Sequence, residues 1–450
     1  MKHIAIGKWG LAMGAVLLVL QLLAGCGGQA AEQAGGASGN DGKAAGKEAG
    51  QQAGKPVEPN FGTDPVTISV LTADTDMDIQ AMLIDPVSKK YPFITLNILK
   101  RGKGNSIPEL IAAGELPDLI ANWTGGLTSQ IQYGIFFDIS PLIKSHNVDL
   151  SRFQPNALDS MRKATDNQLF GLPFNMQFFA MFYNKDIFDK FGAPYPKDGM
   201  TWESAIELAR KVTREDGGVQ YRGLDPDGIE RMGLSLSLES IDGKNDQPTV
   251  NNDQWKRVFE LGKQLYSIPG NGLTKAPFDD FVKDRRLAML ASYNRFSQME
   301  EPSSSGMNWD VVQYPSFNEK PNTFGLSNPW FMMITSTSKH KDQAMQVIEV
   351  LTSDEVQLIN SRKAVKLPPL NNPEMQKQFG ADLPFMKGKN IAGVFKSHAA
   401  PAPVGYSEFH SKADSLMKKN FNDYEAGTID VNTALRQSDE AIAQMVKDSK

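Results

Sequence analysis

Five segments between residues 65 and 121 constrain the fold more than anything else in the chain, because they alternate strand, helix, strand, helix, strand. Val66, Thr67, Ile68, Val70 and Leu71 form a run rich in β-branched residues, which reads as a strand. Residues 79–88 are expected to be helical, 93–99 to be a second strand, and 107–113 a short helix ending at Gly114. Leu119, Ile120 and Ala121 follow Pro117 and Asp118 as a brief third strand. Strands that run parallel need a crossover between them, and helical crossovers cover the faces of the sheet. In such sheets, ligands bind beyond the carboxyl ends of the strands. The loops expected at 72–78 and 122–128 lie at those ends.

The stretch from Gly171 to Thr213 carries the next strong signals. The apolar, aromatic-rich run 178–183 reads as a buried strand, so Phe178, Phe179 and Phe182 belong to the core. Asn184, Lys185 and Asp186 turn the chain into a short amphipathic segment, which Gly192, Pro194 and Pro196 end. Thr201 stands as an N-cap with Glu203 in the first turn, and Ala205, Ile206, Ala209 and Val212 recur at helical spacing. Further helices are expected at 253–266, near 342–351, after Ser353, and at 407–426 and 431–447. Gly218, Gly223 and Gly228 suggest loops in between.

The N-terminus is an address label. Lys2 and Lys8 precede an apolar stretch at 11–23 that is too short to span a bilayer comfortably. It ends Leu23-Ala24-Gly25-Cys26, which resembles a bacterial lipobox, and this implies removal of 1–25 and lipidation of Cys26. Two or more acyl chains would then hold the protein at the outer face of a bacterial cell membrane. Cys26 is the sole cysteine, so neither an intrachain disulfide nor a cysteine metal cluster can form. Residues 26–63 are dominated by Gly, Ala and Gln and are expected to act as a tether. The net charge of −5 supplies no basic footprint for nucleic acid.

Several weak motifs in a fixed order carry a family resemblance. They are Tyr183-Asn-Lys-Asp186 with a short helix, a proline pair and Thr201-Trp-Glu203; Glu109 to Gly114 followed by Leu116-Pro-Asp118; Asp138-Ile-Ser-Pro-Leu142; Leu169-Phe-Gly-Leu-Pro173; and Asp310 to Pro315. Phe281 to Met289 is similar to a further element, with Asp284 where glycine is usual. From residue 65 to 447 the chain resembles the sugar-binding family of extracellular solute-binding proteins that serve ATP-driven (ABC) importers. The resemblance implies an α/β, two-lobe, periplasmic-binding-protein-like fold of type II, with a three-segment hinge and an interlobe cleft. One lobe would comprise 64–175 and 328–398, the other 176–327 and 399–450, with crossings near 173–177, 325–330 and 399–405. It also implies a small-molecule ligand, most simply a carbohydrate, a membrane permease as partner, a monomeric state, no cofactor and no catalysis.

A search for chemistry gives no nucleophile elbow, phosphate loop, dinucleotide fingerprint or zinc-protease motif, and the five histidines never stand at metal-ligand spacing. Asp74, Asp76 and Asp78 alternate, but Ile79 and Asp85 occupy the positions where a calcium loop needs Gly and Glu. Three readings remain for these acids: solvated charges near a helix N-terminus, a cation bound in another geometry, or, for Asp74 and Asp76, acceptance of hydrogen bonds from ligand hydroxyls at the expected cleft edge. A sugar has an apolar CH face and a polar rim, which aromatic rings and amide, acid or guanidinium groups match respectively. Trp123, Tyr293, Trp330 and Tyr406 are the candidate rings, and Gln177 and Arg295 are the candidate polar contacts; Trp202, Trp255 and Trp309 are assigned to packing. A secreted carbohydrate-active enzyme and a sensing or adhesion module are the alternatives from other classes.

Overall fold

A computed structural model describes residues 61–73, 77–363, 366–403 and 405–450, with the side chain of Ser129 excepted. The expected signal segment, Cys26, the tether up to residue 60, and Asp74 and Asp76 lie outside the described residues.

Two mixed sheets, each with its own core, organise these residues. The first has the order β2-β1-β3-β11-β4, built from β1 (Val66–Thr72), β2 (Ile94–Lys100), β3 (Leu119–Trp123), β4 (Gly171–Asn175) and β11 (Trp330–Ile334). β1 runs parallel to β2 and β3, as the strand–helix alternation requires, while β11 inserts antiparallel between β3 and β4. Ile68, Val70, Leu71, Leu119, Ile120, Met332 and Ile334 fill its core. The second sheet has the order β6-β7-β8-β5-β9, from β5 (Phe179–Asn184), β6 (Arg214–Asp216), β7 (Val219–Asp225), β8 (Leu287–Tyr293) and β9 (Trp309–Gln313). Its core holds Phe182, Phe188, Trp202, Trp255, Phe259 and Trp309, so the three tryptophans assigned to packing are buried. A two-stranded parallel ribbon, β10 (Thr323–Phe324) with β12 (His398–Ala399), lies beside the second crossing.

Local chemistry explains the element ends. The helix Ile107–Ala113 starts with a capping box between Ser106 and Glu109 and stops at Gly114, whose φ of 69° is left-handed. Thr201 caps the helix Trp202–Val212 by accepting from the Ser204 amide, and Ser353 caps Asp354–Arg362 through the Val356 amide.

Three expectations change. Residues 122–128 are not a loop: β3 runs to Trp123 and the helix Thr124–Ile131 begins at once. Residues 219–225 form β7 rather than a loop, because Gly223 is a close-packing glycine; a Cβ there would stand 2.5 Å from the Ala209 carbonyl oxygen of the helix above it. Finally, the stretch 379–394, expected with the first lobe, packs into the second core through Phe379, Met386 and Val394. Aromatic contacts draw it there: Phe379 meets Phe178 at 5.6 Å and Phe296 at 5.8 Å, both edge-on. Leu370 and Met375 belong to the first core, whereas Leu367 and Phe379 on either side of them belong to the second, so the chain alternates between the cores in this region.

Candidate ligand-binding site where the two cores meet

Trp123 and Trp330 end up as neighbours although about two hundred residues separate them. Trp123 is the last residue of β3, Trp330 is the first of β11, and the antiparallel register puts them directly opposite. Opposed residues of an antiparallel pair share a face of the sheet. A register irregularity between Trp330 and Phe331 in the pairing with β4 breaks the regular ladder where the indole leaves the sheet. Both rings remain half-buried.

The sequence around each indole fits its position. A Cβ on Gly125 would stand 2.1 Å from the Trp123 ring, and one on Gly126 would meet the Asn122 amide at 2.5 Å. The paired glycines that open the helix Thr124–Ile131 thus make room for the two side chains before it. Asn122 accepts from the Trp123 amide at 2.9 Å and from Arg101 Nη1 at 3.3 Å, which holds the end of β3 rigid. The Lys366 ammonium sits 4.0 Å from the centre of the Trp330 ring, a cation–π contact, and Lys366 is itself buried.

Tyr406 arrives from a third segment. Its ring meets Trp123 edge-on at 5.6 Å, and its hydroxyl donates to Asn328 Oδ1 at 2.5 Å. Asn328 has a φ of 36°, a left-handed turn that asparagine tolerates, directly before Pro329. Burial pushes the Tyr406 phenol well above its ordinary pKa, with Glu239 adding to the effect, so the hydroxyl stays a donor. Leu326, Ala400 and Tyr406 form a small apolar cluster of their own, against which Trp123 from the first sheet and Leu234 from the second lobe both pack.

Beneath Tyr406 lies an ionic brace. The ring of Tyr406 meets His410 edge-on at 5.8 Å, and His410 stands 3.1 Å from Glu239 and 3.4 Å from Asp414. Asp414 also accepts from Ser240 Oγ at 2.6 Å.

Gln177 lies in the first crossing between β4 and β5. Its amide donates to the Ser327 carbonyl at 2.5 Å, tying the first crossing to the second, while its side-chain oxygen accepts from the Phe178 amide at 3.3 Å. Tyr293 and Arg295 form a separate cluster at the end of β8, where Tyr293 pairs with Phe179. Two guanidinium groups lie against the Tyr293 ring, Arg295 at 3.9 Å and Arg231 at 4.8 Å. Arg295 also bonds Asp227 at 3.1 Å, Ser292 at 3.3 Å and Gln298 at 3.1 Å, so it serves largely as an internal brace. The structure therefore brings Trp123, Trp330 and Tyr406 together, sets Gln177 in the adjoining crossing, and keeps Tyr293 and Arg295 apart from them.

Sequence reasoning did not find Lys366, which no local motif marks. Nor did it single out Asn328, whose role as acceptor for the Tyr406 hydroxyl comes from the structure. Among the described residues, no group of three or more His, Cys, Asp or Glu side chains is arranged to hold a metal ion. The assembled chemistry is flat indole surface edged by amides, a phenol and one ammonium, which suits binding rather than bond making.

Comparison with known proteins places this geometry in context. A family model described as bacterial extracellular solute-binding protein matches residues 83–387. Solved structures with the same fold include an ABC substrate-binding protein from Listeria monocytogenes in complex with cycloalternan, at 19% identity and a TM-score of 0.69. It aligns over 85% of this chain and 100% of its own length. A sugar transporter from Rhizobium etli in an open conformation has 20% identity and a TM-score of 0.69, covering 84% of this chain and 99% of that one. The sugar-binding protein MalE from Xanthomonas citri has 18% identity and a TM-score of 0.68, covering 85% and 98%.

Proposed function

Since the chain belongs to the bacterial extracellular solute-binding proteins, we propose that it captures a carbohydrate, an oligosaccharide in particular, between its two lobes and hands it to an ABC-type permease. The observation that carries this reading is the convergence of Trp123, Trp330 and Tyr406 at the junction of the cores. A pyranose stacked on one indole leaves its neighbour free for the next sugar, so paired tryptophans suit a ligand longer than one ring. Several proteins of the same fold were solved with oligosaccharides, among them cycloalternan, mannotriose and maltotriose.

In this reading 64–175 and most of 328–375 form the first lobe, and 176–327 with the remainder of the chain form the second. The open and closed forms differ by rotation about the crossings at 176–178, 325–329 and 376–378. Ligand favours the closed form only through contacts that exist there. Trp123 and Trp330 supply the first-lobe wall, Tyr406 and Gln177 line the hinge side, and Tyr293 with Arg295 stands on the second-lobe wall. Asp74 and Asp76 would accept from sugar hydroxyls at the end of β1. Cys26 would carry the lipid that keeps the protein at the outer face of the cell membrane beside its permease. The protein acts as a monomer and does no covalent chemistry.

Calorimetric titration of the full-length chain against mono- and oligosaccharides, peptides and polyamines tests the reading. Saturable heat with a sugar is expected. Saturable binding of a peptide or polyamine with no response to any sugar would overturn the ligand class.

A further inference from the structure

Lys366 stands where an ammonium is least expected. The residue is 8% exposed, and its Nζ lies over the Trp330 ring, 4.0 Å from the centre. Taking a charge out of water is costly unless groups of opposite polarity face it, and a methionine would fill the same space without that cost. The negative face of the indole is one such group.

The backbone around Lys366 is fastened from several sides. Its amide donates to Asn360 Oδ1 at 3.4 Å, and Asn360 Nδ2 donates to Asn175 Oδ1 at 2.6 Å. Asn175 and Asn360 are fully buried, and Asn175 is the β4 residue opposite Trp330. Next along the chain, Leu367 exchanges two backbone hydrogen bonds with Met176, at 2.8 and 3.0 Å, and Pro369 accepts from the Gln154 amide at 2.8 Å. Buried polar networks of this kind rigidify what they hold. The ammonium is therefore delivered to the ring by a segment locked to the end of β4 and to the start of the first crossing.

The consequence falls on Trp330. An indole has two faces, and a cation over the ring centre occupies one of them. The ring stays half-buried, and a sugar can stack only on the surface that remains. Trp330 also lies at the irregularity in the pairing with β4, where the regular ladder no longer dictates how the side chain leaves the sheet. On the premise that the paired indoles bind a sugar, as proposed above, we propose that Lys366 is a positioning residue of this site. Its ammonium closes one face of Trp330 and fixes the ring so that the other face meets the ligand.

Calorimetry of the full-length chain with cycloalternan, mannotriose and maltotriose tests this. Lys366→Met, which removes the charge and keeps an unbranched side chain, is expected to weaken binding by about three- to tenfold, the scale of one cation–π contact. Added to Trp330→Leu, the same change is expected to cost no more than about twofold further, because its effect passes through the ring. Lys366→Arg, which keeps a cation for the indole, should restore most of the affinity. In the ligand-free chain, the indole N–H cross-peak of Trp330, identified by its loss in Trp330→Leu, should shift and broaden in Lys366→Met and return toward its original position in Lys366→Arg. Unchanged affinity in Lys366→Met, or an unmoved cross-peak, would overturn the proposal. So would an equal loss with and without Trp330, because the ammonium would then touch the sugar directly. Each of those results leaves sugar binding by the unaltered chain in place, whereas an unaltered chain that takes none of the three sugars would overturn the premise and the proposal together.

Discussion

Replacing His410 by glutamine exposes how the Tyr406 segment is held. Burial alone would lower the imidazolium pKa. The bond to Glu239 and the charges of Asp414, Glu239 and Glu230 overcome it and raise the pKa from 6.5 to about 9. The folded protein therefore holds this proton more tightly than the unfolded chain does. The resulting stabilisation is complete below pH 6.5, declines as pH rises toward 9, and is gone above that. At about 1.4 kcal/mol per pH unit, the interval from 6.5 to about 9 amounts to about 3 kcal/mol. Burial also holds the Glu239 carboxyl above its ordinary pKa, so this figure is an upper bound. Urea denaturation followed by tryptophan fluorescence from pH 6 to pH 10 measures it. The wild-type midpoint should fall across pH 6.5–9 more steeply than that of His410→Gln, and the two should converge above pH 9. Parallel curves through that window would refute the brace.

Other substitutions probe separate parts of the account. Asp280→Asn leaves the buried Arg222, bonded at 2.9 Å, with Asp225 as its remaining carboxylate, and should cost about 3–5 kcal/mol in urea denaturation. Trp309→Ala empties a fully buried site in the second core and should cost about 3–5 kcal/mol, again read from the denaturation midpoint. Gly125→Ala drives a methyl into the Trp123 ring, so indole fluorescence and sugar affinity should change while the urea midpoint moves by less than about 1 kcal/mol.

The regular parts of this fold were legible because each rests on local rules. The helices Ile107–Ala113 and Asp253–Tyr266 match their expected bounds, since Gly114 stops one and Asn252 caps the other. The parallel trio β2-β1-β3 follows from helix-linked strands. What stayed hidden depends on distant packing. Gly223 looks like a loop residue until the helix Trp202–Val212 is laid against it. The stretch 379–394 carries no sign of which core it joins, because Phe178 and Phe296, its aromatic partners, lie far back in the chain. At the site, Trp123 and Trp330 stood out as candidate rings, but their pairing comes only from the insertion of β11 between β3 and β4. The turn after the helix Pro277–Val282 departs in the same way: Asp284 replaces the usual glycine, and Arg285 takes the left-handed φ of 53° instead.

The clamp itself is tested most directly by which indoles report ligand. Emission should be followed while the full-length chain and the variants Trp123→Phe, Trp330→Phe, Trp255→Phe and Trp309→Phe are titrated with the oligosaccharide that binds in calorimetry. The sugar-induced change should shrink in the first two variants and persist in the last two, whose rings are buried in the second core. A change that survives both Trp123→Phe and Trp330→Phe, with affinity intact, would contradict a ligand held between the lobes at this pair.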